Sequence, residues 1–279
     1  MAVRKSQTKT SSSTKSAQVQ ERRKFKRGSI LLAALIALLI MLLLGLWWLK
    51  GRMLDKNPRL TLQVVKIDST GYWGQGGNKE NLVSELDLKV GSDNMMALDM
   101  NGLRKKILAI PNVADAQVIW MLPDTLHIKI DERVPKAFLA GGELVVDSNA
   151  LVMNSRECLG VHEKLPVITV LGGSGNEYQP GSTATDTLEA LALLNAMQEN
   201  GSFEAVNISV LRNKNILSGT FRYHGNGAEA EEFVVKLPLL DCNYPAMLEK
   251  LRLTADYLLK EDPSKRVIDL TVDQQIVIK

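Results

Sequence analysis

The residue types that most often carry out chemistry in proteins are sparse in this 279-residue chain. Its three histidines, His127, His162 and His224, show neither an HExxH pattern nor any other spacing typical of metal ligands. His127 falls on a strand face that we predict to be exposed to solvent. We therefore predict no catalytic histidine and no metal site.

Phosphate-binding and nucleophile motifs do not occur where they could act. No GxxxxGK(S/T) loop is present, and the glycines from Gly71 to Gly77 lack the spacing of a cofactor loop and a surrounding βαβ unit. S-x-x-K occurs at Ser6–Lys9 and Ser12–Lys15, in a Ser/Thr/Lys/Gln-rich segment that we predict to be disordered. We expect a protein that is not an enzyme and binds no cofactor, no small-molecule substrate and no nucleic acid.

Two cysteines, Cys158 and Cys242, lie in the second half of the chain. In an oxidising compartment they could form a disulfide, provided that the fold brings their Cα atoms close enough. Two partly buried free thiols explain the same residues equally well. Both interpretations stay open at this point.

The charge of the chain is concentrated at its N-terminus. Residues 1–28 contain nine Lys or Arg and one Glu, a net charge of +8, so the remaining residues carry −5 of the overall +3. A basic surface for nucleic acid is expected on a folded face, and here the excess of positive charge lies in the tail. We predict that residues 1–28 form a disordered cytoplasmic tail.

An uncharged, proline-free segment of 21 residues, Ser29–Leu49, follows the basic tail and ends with Trp47 and Trp48. As a helix it would span roughly 30 Å, the thickness of the hydrocarbon core of a bilayer. The preceding basic residues predict a cytoplasmic N-terminus, and the tryptophans suit the far interface. A cleaved signal peptide is the alternative, but the apolar run is long and no small-x-small cleavage pattern ends it. We predict a transmembrane helix over residues 29–49.

Beyond a linker at residues 50–60, the hydrophobic pattern predicts a first folded unit over residues 61–134. A strand at Leu60–Asp68 is followed by a helix capped by Asn78 and a second helix capped by Asp99 and ended by Pro111. A hairpin then turns at Pro123-Asp124. The order β-α-α-β-β indicates a small sheet covered by two helices.

Residues 135–279 predict a second unit, a mostly antiparallel β domain with two covering helices. The first helix starts near Thr185 and stops at Asn200-Gly201, and the second begins near Pro245. The final residues, Arg266–Ile278, alternate as one long closing strand. The predicted fold class is therefore α+β, with an N-terminal transmembrane helix.

Residues 90–138 resemble the POTRA domain of the FtsQ/DivIB family of bacterial cell-division proteins. The similarity is carried by Pro111, by a V-x-x-A-x-V strand at Val113–Val118, by a P-x-x-L-x-I strand at Pro123–Ile128, and by an E-R-x-P-x-A exit at Glu132–Ala137. The stretches that follow, Gly141–Asp147 and Leu165–Ile168, resemble the start of the β domain of that family.

The resemblance implies a non-enzymatic scaffold of the divisome. It implies a single-pass protein of the cytoplasmic (inner) membrane at the division septum, with its C-terminal domains periplasmic or extracellular, that binds FtsB/FtsL-like bitopic partners. An exposed edge strand can accept a strand from another chain. The expected partner-binding residues are those of the C-terminal strand: Val267, Ile268, Asp269, Leu270, Thr271, Val272 and Asp273.

Two further expectations accompany the implied role. The backbone N–H of Leu270 is expected to serve a partner, so Leu270→Pro should prevent partner capture. The alternative function is a POTRA-containing component of envelope assembly or secretion that acts as a chaperone for extended polypeptides.

Overall fold

The computed structural model describes residue 32 and residues 34–48, 57–158, 165–172, 178–225, 230–240, 242–272 and 277–278. Residues 34–48 form helix α1, whose apolar side chains are exposed. Across these described ranges, no helix combines the length and the apolar character that crossing a bilayer requires. The predicted span 29–49 continues beyond α1 at both ends, and the predicted tail 1–28 lies outside the described residues.

The first folded unit is a three-stranded sheet with two helices. Its strands lie in the order β1-β3-β2, with β1 parallel and β2 antiparallel to the central β3. The elements, in chain order, are β1 (Val64–Asp68), α2 (Gly76–Glu85), α3 (Met100–Leu108), β2 (Val113–Met121) and β3 (Thr125–Glu132). The predicted order β-α-α-β-β is confirmed.

One face of this sheet forms the core of the first unit. Leu126, Ile128 and Ile130 alternate along β3 and are buried together with Leu103 and Ile107 from α3. The spacing of four residues places the two helix side chains on one face of α3, so they both reach the sheet. Periodicity therefore determines which face of each element is covered.

The predicted cap of α3 is confirmed and the predicted cap of α2 is wrong. The Asp99 carboxylate accepts a hydrogen bond from the Gly102 N–H at 3.0 Å. Helix α2 begins at Gly76, because a 3-10 turn at Tyr72–Gly74 leads directly into it. Asn78 thus lies inside the helix, and its side-chain Nδ2 donates to the Tyr72 carbonyl at 2.9 Å.

His127 is buried rather than exposed on a solvent-facing side of the sheet. It lies on the face of β3 opposite the helices, yet only 8% of its surface is accessible. Its Nε2 lies 2.7 Å from Oδ2 of Asp68 on the parallel neighbour β1. The hydrogen bond from the imidazole holds the pKa of the Asp68 carboxyl below its usual value. His127 therefore joins two strands of this sheet.

The second sheet contains nine strands in the order β12-β11-β10-β9-β8-β7-β4-β5-β6. Antiparallel pairs predominate, but β4–β7, β7–β8 and β10–β11 are parallel. Its strands are β4 (Ala137–Leu139), β5 (Leu144–Val146), β6 (Val152–Asn154), β7 (Val167–Leu171), β8 (Phe203–Leu211), β9 (Ile216–Tyr223), β10 (Glu231–Pro238), β11 (Val267–Asp269) and β12 (Val277–Ile278).

Two helices pack on this sheet, α4 (Leu188–Asn200) and α5 (Tyr244–Glu261). Their buried side chains join alternate residues of the strands in one large apolar cluster. Gly201 ends α4 with a φ of 71°, a left-handed conformation in which glycine has no steric penalty. The mixed α+β architecture predicted from the sequence is confirmed.

The closing strand predicted over Arg266–Ile278 is wrong. The structure has two short strands, and β12 turns back to pair antiparallel with β11. Alternate residues of any strand point to the same face. The apolar alternation over Arg266–Ile278 is therefore the same for one long strand as for two strands that pair with each other.

Two polar contacts join the first unit to the second sheet. Arg133, just after β3, donates from Nη1 to Oδ2 of Asp147 at 2.9 Å, and only 5% of the Asp147 side chain is accessible. Asn112 is buried between the two units, where it accepts from the Trp73 indole at 2.9 Å and donates to the Glu157 carbonyl. Polar groups buried in this way fix the junction, because each one would be costly to leave without a partner.

Candidate partner-binding edge

Strand β11 enters the sheet through a crossover. The chain leaves β10, runs through α5 along the sheet and returns as β11, parallel to β10 and paired with it from Val234↔Val267 to Lys236↔Asp269. A parallel neighbour requires such a crossover. Helix α5 therefore positions the candidate residues 267–269, because it covers the sheet beside them.

Strand β11 is second from the edge, since β12 pairs with its other side. Ile268 lies opposite Ile278 and Asp269 opposite Val277. No strand in the described part of the chain pairs with the far side of β12. The edge of the sheet is therefore formed by a strand of two residues, which is short by the standard of ordinary strands.

The side chains of the seven candidate residues differ in exposure. Ile268 and Leu270 are buried in the core, at 0% and 2% accessible. Val267, Asp269 and Thr271 are half-buried, whereas Val272 is 47% exposed. Asp273 lies outside the described residues. The structure thus brings four of these side chains to positions where a partner could contact them.

The backbone groups of β11 alternate between its two neighbours. The Arg266 carbonyl accepts from the Val234 N–H at 2.8 Å, and the Leu270 N–H donates to the Lys236 carbonyl at 2.9 Å. Because successive backbone groups point to opposite sides of a strand, those of Val267 and Asp269 face β12. The expectation that the Leu270 N–H serves a partner is therefore wrong, since this donor holds β11 to β10.

A polar turn ends β11. Oδ1 of Asp269 accepts from the backbone N–H of Thr271 at 3.0 Å and from its hydroxyl at 2.6 Å. The Lys236 ammonium lies 3.8 Å from the other carboxylate oxygen. Asp and Thr side chains commonly make such local hydrogen bonds where a chain leaves regular structure. This D-x-T signal was visible in the sequence and marks the end of the strand.

Sequence reasoning missed Arg266, which orients the start of β11. Its guanidinium lies 3.1 Å from the Glu231 carboxylate and 5.5 Å from the centroid of the Phe233 ring. A cation at this distance from an aromatic face is attracted to it. Both contacts reach from β10, so they hold β11 beside its parallel neighbour.

The opposite edge of the nine-stranded sheet is covered by backbone. The Val152 N–H donates to the Ser182 carbonyl at 2.9 Å, and the Gly181 N–H donates to the Val152 carbonyl at 2.8 Å. Leu151 and Thr183 form an antiparallel bridge beside them. A covered edge cannot recruit another strand. The end of the sheet that carries β12 is therefore the candidate for strand addition.

Both cysteines are free thiols in the structure. Cys158 is buried beside Val145 and Met153, and Cys242 lines an open surface groove with Leu188, Leu240 and Tyr244. A disulfide between them, one of the two interpretations that the sequence left open, is not formed in this structure and stays an expectation for an oxidising compartment.

The two thiols should differ in reactivity. Burial, together with the Glu132 and Glu157 carboxylates, raises the pKa of the Cys158 thiol to about 12, and burial raises the pKa of Cys242 as well. A raised pKa keeps each thiol protonated at neutral pH, and only the thiolate reacts. Because Cys158 is only 8% accessible, we expect iodoacetamide to label Cys242 more than about tenfold faster in the folded protein.

Mass spectrometry of labelled peptides over time measures both rates, and labelling in denaturant should remove the difference. Single variants, Cys158→Ser and Cys242→Ser, assign the signals. Equal rates in the folded protein would contradict the buried position of Cys158. Absence of labelling at both positions until reductant is added would indicate a disulfide.

Ionisable side chains do not assemble a metal site in the ranges that the structure describes, where no group of three or more His, Cys, Asp or Glu residues is suitably placed. The Glu132 carboxylate illustrates how such groups are used instead. It accepts from the backbone N–H groups of Tyr72 and Trp73 at 2.7 and 2.9 Å and so secures the 3-10 turn before α2.

Comparison with known proteins supports the resemblance read from the sequence. The family described as POTRA domain, FtsQ-type, matches residues 78–133. The chain is 22% identical over 168 residues to the cell division protein DivIB of Clostridium tetani, and 29% identical over 89 residues to the cell division protein FtsQ of Syntrophotalea carbinolica. It is also 27% identical over 123 residues to FtsQ of Koribacter versatilis.

These matches are partial. They cover 57%, 32% and 42% of this chain, and 60%, 30% and 34% of the respective relatives. The FtsQ-type match falls on the elements α2, α3, β2 and β3, which form most of the first unit. The chain therefore contains an FtsQ-type POTRA domain and is similar, over part of its length, to cell-division proteins of the FtsQ/DivIB family.

Proposed function

We propose that this protein is a non-enzymatic scaffold of the bacterial division machinery. The three relatives with which it shares sequence are named as cell-division proteins. In this proposal residues 61–134 form the POTRA domain and residues 135–279 the β domain. Both serve to bind other chains, and the polar side chains described above serve structural contacts.

The protein is anchored in the cytoplasmic membrane by residues 29–49 in this proposal. The exposed apolar side chains of α1 and the paired tryptophans at its end support such an anchor. The +8 tail stays in the cytoplasm, and both folded units lie on the outer side, at the division septum.

The partner is a small bitopic membrane protein, of the FtsB or FtsL kind, that contributes a strand to the C-terminal edge. The observation that carries this proposal is the two-residue β12, at an end of the sheet where no segment among the described residues covers the edge. A longer strand from a partner takes the place of β12 on β11, because it makes more backbone hydrogen bonds there. The half-buried and exposed side chains of Val267, Asp269, Thr271 and Val272 select the partner.

Capture from membranes tests the proposal. The full chain, carrying a C-terminal affinity tag after a flexible spacer, is expressed in its host and purified from a detergent extract. Small bitopic division proteins should co-purify, and they are identified by mass spectrometry. The control is the chain with residues 267–279 deleted, which should insert in the membrane but lose these proteins. Equal recovery with both chains would refute partner binding at this edge.

Localisation separates this role from the alternative of a polypeptide chaperone in envelope assembly. A fluorescent fusion to the N-terminal tail should form a band at mid-cell in dividing cells. A uniform rim around the cell, together with co-purification of extended outer-envelope proteins, would favour the chaperone role.

A further inference from the structure

Four consecutive apolar residues are exposed at the end of the hairpin formed by β2 and β3. Ile119 and Trp120 are each 41% accessible, Met121 is 47% accessible and Leu122 is 58% accessible. Single exposed apolar residues are common, but a continuous run of this kind is unusual and marks a contact site. The earlier part of β2 follows the ordinary pattern, with Ala116 buried in the core.

The run exposes apolar side chains on both faces of the hairpin. Ile119 and Met121 point to one face and Trp120 to the other, as side chains alternate along a strand. Leu122 follows in the turn. Trp120 lies opposite the buried Leu126 but is itself only partly covered. The hairpin therefore extends past the helices that cover the rest of the sheet, and its tip is apolar all round.

The hairpin tip lies where the chain enters the first folded unit. The backbone N–H groups of Gln63 and Val64 donate to the Asp124 carbonyl at 2.8 and 3.2 Å. Two further apolar side chains are exposed at this end, Val64 and Val90, each 51% accessible. Val90 lies at the same end of the unit, because the next residue, Gly91, donates its N–H to the carbonyl of Leu62 at 2.7 Å.

The distance from helix α1 to this end of the domain is limited by chain length. Eight residues, 49–56, separate the last described residue of α1 from Asn57. Even fully extended, they bridge only about 30 Å. The segment 50–59 also contains four basic residues, Lys50, Arg52, Lys56 and Arg59, and one acid, Asp55. Such a segment is attracted to anionic lipid headgroups, which draws the domain closer to the bilayer.

We propose that this surface, formed by Val64, Val90 and the hairpin tip Ile119–Leu122, rests in the interfacial layer of the membrane. The proposal rests on the proposed anchor at residues 29–49. Lipid is the occupant because the surface lies at the end of the unit where the chain enters it, and only eight residues separate Asn57 from the apolar helix α1. Trp120 suits the site, since tryptophan is favoured at the boundary between headgroups and acyl chains. The contact would fix the tilt of the POTRA unit above the membrane.

Site-directed spin labelling of the full chain tests this surface. Cys158 and Cys242 are first replaced by serine, and single cysteines are introduced by Leu122→Cys at the tip, Lys105→Cys on the exposed face of α3, and Met41→Cys in α1. Each protein is labelled with a nitroxide and reconstituted in vesicles of phosphatidylethanolamine and phosphatidylglycerol. Accessibility of the nitroxide to oxygen, which partitions into lipid, is compared with accessibility to a water-soluble nickel chelate.

We expect the oxygen-to-nickel accessibility ratio at position 122 to be several times that at position 105, and to lie between the values at 105 and 41. A lipid-like value at 41 with an aqueous value at 122 would overturn the membrane contact and leave the anchor intact. An aqueous value at 41 would refute the anchor and, with it, this inference. An aqueous value at 122 that becomes shielded only when a partner protein is added would replace the lipid with a protein contact. Circular dichroism of each labelled chain checks that it is folded.

Discussion

Val267→Pro should abolish capture of the bitopic partner, whereas Val267→Thr should leave capture within about twofold of the unchanged protein. The backbone N–H of Val267 faces away from β10, toward the side on which a partner strand would pair. Proline removes this donor, and proline is tolerated in sheets mainly where the N–H faces an edge. Threonine keeps both the donor and a β-branched side chain. Co-purification from detergent extracts, quantified by mass spectrometry, measures the difference.

Two controls separate loss of the edge from loss of the fold. Ile268→Pro would remove a donor that faces β10 and would place a foreign ring in the core, so this variant should unfold the β domain. Val267→Pro should keep a cooperative thermal transition. Deletion of residues 273–279 removes β12 but keeps β11, so it should preserve or increase capture if the partner takes the place of β12. Undiminished capture by a folded Val267→Pro protein would refute pairing with β11.

Arg133→Met should destabilise the protein by about 3 kcal/mol, because it leaves the Asp147 carboxylate without its cation. Only 5% of the Asp147 side chain is accessible, and its other hydrogen bonds come from the backbone N–H groups of Asn149 and Leu151. The free energy of unfolding from urea denaturation measures the effect. The pair lies where the first unit meets the second sheet. The decrease in the free energy of unfolding should therefore appear in an unfolding transition that both units share.

The matched control is Arg222→Met. Arg222 also pairs with a carboxylate, that of Glu232 at 3.0 Å, but the two side chains are 40% and 51% accessible. An exposed pair of this kind contributes less than about 1 kcal/mol. In a double-mutant cycle, Asp147→Asn should recover part of the loss caused by Arg133→Met, because it removes the buried charge. Equal effects at Arg133 and Arg222 would contradict a special role for the junction.

Periodicity predicted the elements well where one face of each is covered. The spacing of Leu103 and Ile107 placed α3 on the sheet, and the alternation of Leu126, Ile128 and Ile130 identified the buried face of β3. The same alternation mispredicted His127. Alternation predicts which side of a strand faces away from the helices. It cannot predict that β1, about 60 residues earlier in the chain, lies beside β3 and supplies Asp68 as a partner for His127.

The candidate edge could be predicted only in part for a related reason. Alternation over Arg266–Ile278 identified buried Ile268 and Leu270, yet it could not distinguish one long strand from two that fold together. Nor does a sequence pattern state which neighbour a backbone N–H reaches, so the partner of Leu270 was mispredicted. The turn at Asp269 and Thr271 carried the missing information in its hydrogen-bonding side chains.

The segment around residues 181–184, which covers β6, also limits the valency of the β domain. A sheet that accepts strands at both ends can be joined into chains without limit, as happens in cross-β assemblies. With one end already bridged through Leu151 and Thr183, a molecule that binds its partner as proposed would accept a single foreign strand on this sheet. The stoichiometry of the resulting complex would be one partner strand per sheet, and growth into a fibre through these strands would terminate at every molecule.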